Sequence, residues 1–206
     1  MMKVRDINYE IIGEKLREGQ LIIYPTDTVY GVGGIITNEE TIKNIYRAKT
    51  RSFSSPLIAL VSSLEKIEKI AYIDYNKEKV LKLIEKFWPG GLTIILRKKD
   101  VVPGIMISNG ETVGVRMPNH EIALKIIESA GGILPTTSAN ISGEPTPRSY
   151  DELSEEFKKR VDIVIDGGKS PIGEASTIID MSSENIKILR EGSISKEHIE
   201  KIIGKI

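Results

Sequence analysis

Two cations with the chemistry of an anion-binding site lie close together in "RAKTRSFSSPL", residues 47–57. Lys49 and Arg51 follow the predicted end of a helix and enter a serine-rich loop. Lysine supplies a point charge and arginine a planar fork of donors, a pairing that suits a triphosphate or a carboxylate. Cations stabilised by a helix C-terminus are the alternative interpretation. Both side chains are expected to be exposed in the loop.

Two further stretches carry polar side chains at predicted strands. Arg116 lies within the apolar run "TVGVRM", where an inward guanidinium needs a partner or an anionic ligand. An edge-strand arginine facing water is the alternative. In "TTSANISG", Ser138 and Asn140 alternate with Ala139 just after a predicted strand. Ligands of α/β sheets bind beyond the carboxyl ends of strands, so both side chains are predicted to face a ligand. A capping turn is the alternative here.

A glycine-rich stretch, "YPTDTVYGVGG" at residues 24–34, indicates close backbone approach to a ligand only weakly. It lacks the third glycine of a dinucleotide fingerprint and the Gly-Lys-Ser/Thr of a P-loop. A glycine-rich turn with Asp27 as a local cap is the more economical interpretation. Ser176 and Arg190 lie on or beside strands predicted late in the chain.

Composition excludes several kinds of site. The 206 residues include no Cys and two His, which excludes disulfides, thiolate nucleophiles and His-rich metal clusters. The 29 basic residues balance 29 acidic ones, whereas a polyanion-binding surface normally shows a basic excess. A local cationic cleft for a small anion fits this balance better than binding of long nucleic acid. No apolar stretch resembles a secretory signal, so a cytoplasmic protein is expected.

The elements that must position these residues alternate between helix and strand, which predicts an α/β domain. A cluster of short strands late in the chain favours a mixed sheet over an all-parallel one. Helices are predicted after the caps Asn8 and Asn38, and residues 150–160 are also predicted to be helical. Without repeats or an obvious linker, residues 1–206 are interpreted as one domain.

Seven motifs in order resemble the threonylcarbamoyl-AMP synthase family of YrdC-like proteins. They are "PTDTVYGVG", "KTR" with "SPL", "FWPGGLT", "VGVRMPNH", "TSANISG", "STIID" and "LREG", and they run from about residue 20 to 192. The resemblance implies an open, twisted mixed sheet flanked by helices, with a cationic concave face. It also implies the short, single-domain form, because longer members carry an additional C-terminal domain after the last motif.

The resemblance assigns site residues by matching motif positions. Lys49, Arg51, Ser138 and Asn140 match a polar tetrad around the ATP phosphates, to which catalysis is ascribed. Further ATP contacts are expected from Ser55, Thr112, Thr146 and Arg190. Threonine contacts are expected from Thr28, Arg116, Thr136 and Ser176. Leu60 stands where many longer members have a His near the threonine.

The implied reaction makes threonylcarbamoyl-AMP and pyrophosphate from L-threonine, bicarbonate or CO₂, and ATP carrying Mg²⁺ on its phosphates. A separate tRNA threonylcarbamoyl-transfer system would then modify the adenosine beside the anticodon. Two alternatives stay open at this point. One is a double-stranded RNA or tRNA-binding module without catalysis, since shape-based RNA binding needs only phosphate contacts. The other is the related carbamoyl-transfer domain of hydrogenase maturation.

Overall fold

The computed structural model describes residues 2–3 and 7–206, which form an eleven-stranded sheet with helices packed against it. The strands are β1 (Met2–Lys3), β2 (Ile22–Tyr24), β3 (Gly31–Gly33), β4 (Ile58–Val61), β5 (Ala71–Tyr72), β6 (Leu92–Lys98), β7 (Thr112–Arg116), β8 (Ile133–Ser138), β9 (Ile163–Asp166), β10 (Thr177–Asp180) and β11 (Lys187–Arg190). The helices are α1 (Tyr9–Arg17), α2 (Glu39–Lys49), α3 (Ile67–Ile70), α4 (Lys77–Phe87), α5 (Glu121–Ser129), α6 (Glu155–Lys158) and α7 (Lys196–Ile203).

The sheet is mixed, as predicted. Its order is β1-β9-β2-β3-β8-β4-β7-β6-β10-β11, and β5 pairs with β6 outside that path. Parallel pairs join β1 to β9, β2 to β9, β4 to β7 and β6 to β10, and the remaining neighbours are antiparallel. The sheet is open because β1 and β11 lie at opposite ends of this order.

Local signals positioned the first two helices correctly. The side chain of Asn8 accepts hydrogen bonds from the backbone N–H groups of Glu10 and Ile11, and that of Asn38 does the same for Glu40 and Thr41. An asparagine in this position satisfies amide donors that the first helical turn leaves free. Helices α1 and α2 therefore begin at the residues predicted from the sequence.

Two predictions about local structure were wrong. Residues 31–33 are not a turn but the short strand β3, which pairs with β2 on one side and β8 on the other. Residues 150–160 are not one helix, because a 3₁₀ turn at Tyr150–Glu152 is separated from α6 by Leu153 in an extended conformation.

The core lies on both faces of the sheet. One face packs under α2, α4 and α7 through residues such as Ile45, Leu83 and Ile199. The other face is covered in part by α1 and α5, which bury Ile12 and Ile126 against it. The rest of that second face is left for a cavity. Among the described residues, no helix combines the length and apolar character needed to cross a membrane.

Candidate active site

Strand register gathers the candidate residues onto one face of the sheet. Directly paired residues on neighbouring strands project to the same side, and residues two apart on one strand share that side. Gly31 pairs with Ser138, Ile58 with Thr136, and Leu60 with Arg116. The same face of the sheet continues to Ile178, which pairs with Thr93 on one side and with Arg190 on the other. Side chains from six strands therefore converge on one surface.

A cavity of about 220 Å³ opens on this surface. Eight of the twelve predicted site residues line it: Thr28, Arg51, Arg116, Thr136, Ser138, Thr146, Ser176 and Arg190. Its wall also includes Leu60. The cavity therefore combines three guanidinium groups with hydroxyls and a small apolar floor.

Glycines allow close approach where β3 meets β8, and one of them, Gly31, lines the cavity. A Cβ atom on Gly31 would lie 2.9 Å from Cγ2 of Thr136, and one on Gly33 would lie 2.8 Å from the carbonyl oxygen of Pro135. Such contacts are shorter than packed atoms tolerate, so these positions exclude larger residues unless their neighbours move. The glycine-rich stretch thus serves the site as strand β3 rather than as a phosphate loop.

Arg116 is the most constrained cation of the site. It is 4% exposed, and its Nε donates to the carbonyl of Gly90 at 2.8 Å. Its Nη1 donates to Oγ1 of Thr28 at 2.7 Å, and its Nη2 donates to Oδ1 of Asp27 in a buried ion pair. Burial lowers the pKa of Arg116, and Asp27 opposes that change. An arginine has five N–H donors, so two remain for a ligand.

Asp27 is therefore not the local cap suggested by its sequence context. Thr26 has that role, because its Oγ1 accepts from the backbone N–H groups of Thr28 and Val29, each at 3.3 Å. Asp27 is 1% exposed and its carboxylate neutralises Arg116 from behind the cavity. Its second oxygen, Oδ2, has no hydrogen-bond partner in the part of the chain that the structure describes.

Ser176 and Arg190 form a second polar corner. The guanidinium of Arg190 donates from Nε and Nη2 to the carbonyl oxygen of Ser176, at 3.1 and 2.7 Å. The hydroxyl of Ser176 lies 2.9 Å from that of Thr93, which is fully buried on β6. Burial also lowers the pKa of Arg190. The late motifs thus meet beside Thr93, which belongs to the motif "FWPGGLT" and to a strand predicted from the sequence.

Lys49 is buried, and the expectation of an exposed loop residue was wrong. It is the last residue of α2 and 1% exposed. Its Nζ donates to the carbonyl oxygens of Ser138 and Asn140 at 2.5 and 2.6 Å, and to Oδ1 of Asn140 at 3.2 Å. Its pKa is lowered to about 7, mainly by burial and also by nearby Arg51, while Glu144 opposes both effects.

The Ser138–Asn140 turn is consequently fixed from several directions. Oγ of Ser138 donates to Oδ1 of Asn140 at 2.6 Å, and Nδ2 of Asn140 donates to the carbonyl of Glu144 at 2.7 Å. The carbonyl of Lys49 in turn accepts from the backbone N–H of Ser142. Asn140 and Lys49 lie behind the cavity wall, whereas Ser138 lines it. Three of the four tetrad residues thus form one hydrogen-bonded unit.

The fourth tetrad residue, Arg51, lies in the loop and lines the cavity. Its Nε donates to the carbonyl of Ser55 at 3.1 Å and its Nη2 to that of Pro56 at 3.2 Å. Burial lowers its pKa. The Ser55 side chain does not line the cavity, and neither does Thr112, which begins β7 at the end opposite Arg116.

Sequence reasoning missed the buried tyrosine behind the cavity. Tyr24 is fully buried, and its hydroxyl lies 2.8 Å from Oγ1 of Thr136. Burial raises its pKa above the ordinary range for tyrosine. Its position became clear only from the sheet, in which Tyr24 is directly opposite Gly31. His120 is at the N-cap position of α5, and its side chain makes no capping bond.

Comparisons with known proteins find relatives along nearly the whole chain. Residues 14–192 match the Sua5/YciO/YrdC family model, whose description is "Telomere recombination". The threonylcarbamoyl-AMP synthase of Pyrococcus abyssi is 41% identical over 204 residues, which cover 99% of this chain and 59% of that protein. The Bacillus subtilis threonylcarbamoyl-AMP synthase is 37% identical over 93% of this chain and 55% of its own length.

A solved structure extends the similarity to three dimensions. The crystal structure of P. abyssi Sua5 complexed with L-threonine superposes with a TM-score of 0.93 at 40% identity, covering 100% of this chain and 60% of that one. The chain thus spans somewhat more than half the length of these relatives. The sequence motifs, the sheet and the family match agree, and the chain belongs to the Sua5/YciO/YrdC family.

Proposed function

We propose that this chain is an L-threonylcarbamoyladenylate synthase, a nucleotidyltransferase that makes threonylcarbamoyl-AMP and pyrophosphate from L-threonine, bicarbonate or CO₂, and ATP. The observation that carries the proposal is the cavity in which Arg51, Arg116 and Arg190 surround a cluster of hydroxyl groups. The names of the relatives and the L-threonine complex of the P. abyssi protein support this choice of reaction and amino acid. They do not favour the alternative of a non-catalytic RNA-binding module.

The amino acid would bind at the Arg116 end of the cavity. Two N–H groups of this guanidinium have no hydrogen-bond partner among the described residues, and a fork of donors matches the two oxygens of a carboxylate. Thr28 and Ser176 line the same end with hydroxyl groups, and Thr136 completes the wall. A buried cation that is already oriented loses little freedom when its anion arrives.

The ATP phosphates would lie toward Arg51 and Ser138. Two N–H groups of Arg51 are held by backbone carbonyls, which leaves three for a ligand. Lys49 has its three donors on Ser138 and Asn140, so we propose that it supports this turn. A direct contact with phosphate would require it to exchange one of those acceptors.

The remaining ATP contacts stay predictions with different degrees of structural support. Arg190 and Thr146 line the cavity and can contact a ligand there. Ser55 and Thr112 lie outside its wall, so their contacts would require a substrate that extends beyond it. An ATP molecule that spans the Arg51 loop toward the start of β7 would meet this requirement.

The chemistry requires positioning and charge neutralisation. The amine nitrogen of threonine forms a bond to the carbon of CO₂ and releases a proton to solvent, which gives a carbamate. A carbamate oxygen then bonds to the α-phosphorus of ATP, and the bond to the bridging oxygen breaks so that pyrophosphate leaves with its electron pair. Holding the two anions in reach of each other supplies much of the rate enhancement, and Arg51 would neutralise the departing charge.

We also propose that Mg²⁺ enters with ATP and is held by its phosphate oxygens, as this ion commonly is. Within residues 7–206, no group of three His, Cys, Asp or Glu side chains forms a protein cage for a metal. The proposal therefore assigns Mg²⁺ no ligand from the protein. Its contribution would be to offset phosphate charge.

A cytoplasmic location follows from the proposed reaction, because its product is consumed in tRNA modification. The partner system would be a tRNA threonylcarbamoyl-transfer machinery that accepts the activated carbamoyl group. Direct contact with tRNA or double-stranded RNA through a cationic face remains a prediction.

The test is pyrophosphate release from ATP in the presence of bicarbonate and L-threonine, with product identity checked by mass spectrometry. We expect release that depends on both threonine and bicarbonate. Arg116→Ala should depress it, whereas Lys125→Ala, which removes an exposed cation from α5, should not. Absence of turnover, or turnover that does not need threonine, would overturn the proposal.

A further inference from the structure

The hydroxyl of Thr136 is committed to the protein and has no proton to offer a ligand. Its Oγ1 lies 2.8 Å from the hydroxyl of Tyr24 and 3.0 Å from the carbonyl oxygen of Leu134. A threonine hydroxyl carries one proton. Whether the Tyr24 hydroxyl or the Leu134 carbonyl oxygen accepts it, no proton remains for a ligand. Because leaving a buried acceptor or donor unpaired is costly, this arrangement should persist when a ligand binds.

The methyl group of Thr136 lies beside the cavity instead. Its Cγ2 would be 2.9 Å from a Cβ atom at Gly31, and Gly31 lines the cavity. The glycine therefore provides the space in which this methyl group can meet a ligand. Thr136 therefore presents its methyl group, and no hydroxyl proton, toward the space beside Gly31.

Ser176 shows the opposite arrangement. The neighbouring Thr93 is fully buried, and in the described part of the chain the hydroxyl of Ser176 is the hydrogen-bond partner of its Oγ1. The proton of Thr93 is paired only if Thr93 donates to Ser176, whose Oγ also accepts from Nη2 of Arg190 at 3.3 Å. The proton of Ser176 is then free to point into the cavity, which Ser176 lines.

We propose that the cavity reads the two substituents of the substrate β-carbon with different residues: Thr136 contacts the methyl group and Ser176 donates to the hydroxyl. Tyr24 and Thr93, which do not line the cavity, are positioning residues that set these two orientations. This division rests on the proposed threonine-dependent function. It assigns Thr136 an apolar role in place of the hydroxyl contact that its residue type suggests.

The experiment compares kcat/KM for L-threonine, L-serine and L-valine in wild type, Thr136→Ser and Thr136→Val. Serine lacks the methyl group of threonine, and valine replaces its hydroxyl with a methyl. A lost methyl contact in a fitted pocket typically changes kcat/KM by about tenfold or more. We expect Thr136→Ser to lose most of the threonine-over-serine preference, and Thr136→Val to keep it.

Opposite results would overturn the division of roles. If Thr136→Val used valine as well as threonine while Thr136→Ser kept its wild-type preferences, Thr136 would be reading the hydroxyl. Wild-type turnover without threonine dependence would instead overturn the proposed function. In that case calorimetry would still measure the binding of threonine and serine to the same three proteins. Loss of the threonine-over-serine binding preference in Thr136→Ser would then support the methyl contact of Thr136.

The positioning role of Tyr24 has its own test. Tyr24→Phe removes the hydroxyl that holds Thr136, and we expect the threonine-over-serine ratio to fall severalfold. Tyr9→Phe on α1 is the matched control and should leave the ratio unchanged. A merely structural Tyr24 would lower the melting temperature without moving the ratio, and that result would remove the positioning role.

Discussion

Replacing Lys49 by methionine should change how the stability of the fold depends on pH. Lys49 is 1% exposed, and burial lowers its pKa from the usual 10.5 to about 7. Below pH 7 the lysine is protonated in both the folded and the unfolded chain, so it adds no pH dependence. Between about pH 7 and 10.5 the unfolded chain binds the extra proton, so the free energy of unfolding rises with pH.

The magnitude follows from the size of the shift. One proton changes the free energy of unfolding by up to about 1.4 kcal/mol per pH unit, which over this window amounts to a few kcal/mol. Three oxygen acceptors around Nζ favour the ammonium and reduce that amount. Between pH 7 and pH 10, the free energy of unfolding of wild type is therefore expected to rise by about 2–4 kcal/mol relative to that of Lys49→Met.

Urea unfolding of both proteins from pH 6 to 10 measures this difference, since other titrating groups contribute equally to both curves. Lys43→Met on the same helix, where 37% of the lysine side chain is exposed, is the matched control and should parallel wild type. A wild-type-minus-Lys49→Met difference that stays constant across pH 7–10 would refute the reasoning, because it would mean that Lys49 does not titrate there.

Three other perturbations test the rest of the site. Arg51→Ala should weaken ATP binding by about 1.5–3 kcal/mol through loss of a charge-assisted contact, and unchanged affinity in a calorimetric titration would argue against the assignment. Asp27→Asn leaves the buried charge of Arg116 without its partner and should lower the free energy of unfolding by about 3–5 kcal/mol. A denaturation midpoint equal to that of wild type would contradict this ion pair. Gly31→Ala places a Cβ atom 2.9 Å from Thr136 and should raise the KM for threonine, and an unchanged KM would show that the wall moves freely.

Local signals in the sequence predicted helix starts well, because an N-cap acts within one turn of its own helix. Asn8 and Asn38 show this directly, since each side chain accepts from amides two and three residues later. Strand β3 was missed for the opposite reason. A run of glycines has no intrinsic preference for a strand, and residues 31–33 are extended because β2 and β8 pair with them on both sides.

The candidate site shows the same division between local and distant causes. Arg116 was predicted to need a partner because it interrupts an apolar strand, and it has one in Asp27. The burial of Lys49 could not be predicted from its neighbours, since its acceptors on Ser138 and Asn140 are 89 and 91 residues away. From the sequence alone, stabilisation by the C-terminus of the helix accounts for the lysine equally well, because the distant Ser138–Asn140 turn is not visible there.

Charge distribution explains how a protein with no net charge can favour a small anion. Three guanidinium groups, those of Arg51, Arg116 and Arg190, line a cavity of about 220 Å³, and Asp27 offsets one of them from behind its wall. Burial lowers the pKa of all three arginines, which shows that each loses solvation and would gain from an anionic partner. The attraction for an anion is concentrated in the cavity, because low-dielectric walls focus the electric field of the three guanidinium groups. A carboxylate and a triphosphate can satisfy these groups from within, whereas a long polyanion would need the basic excess that the rest of this neutral chain lacks.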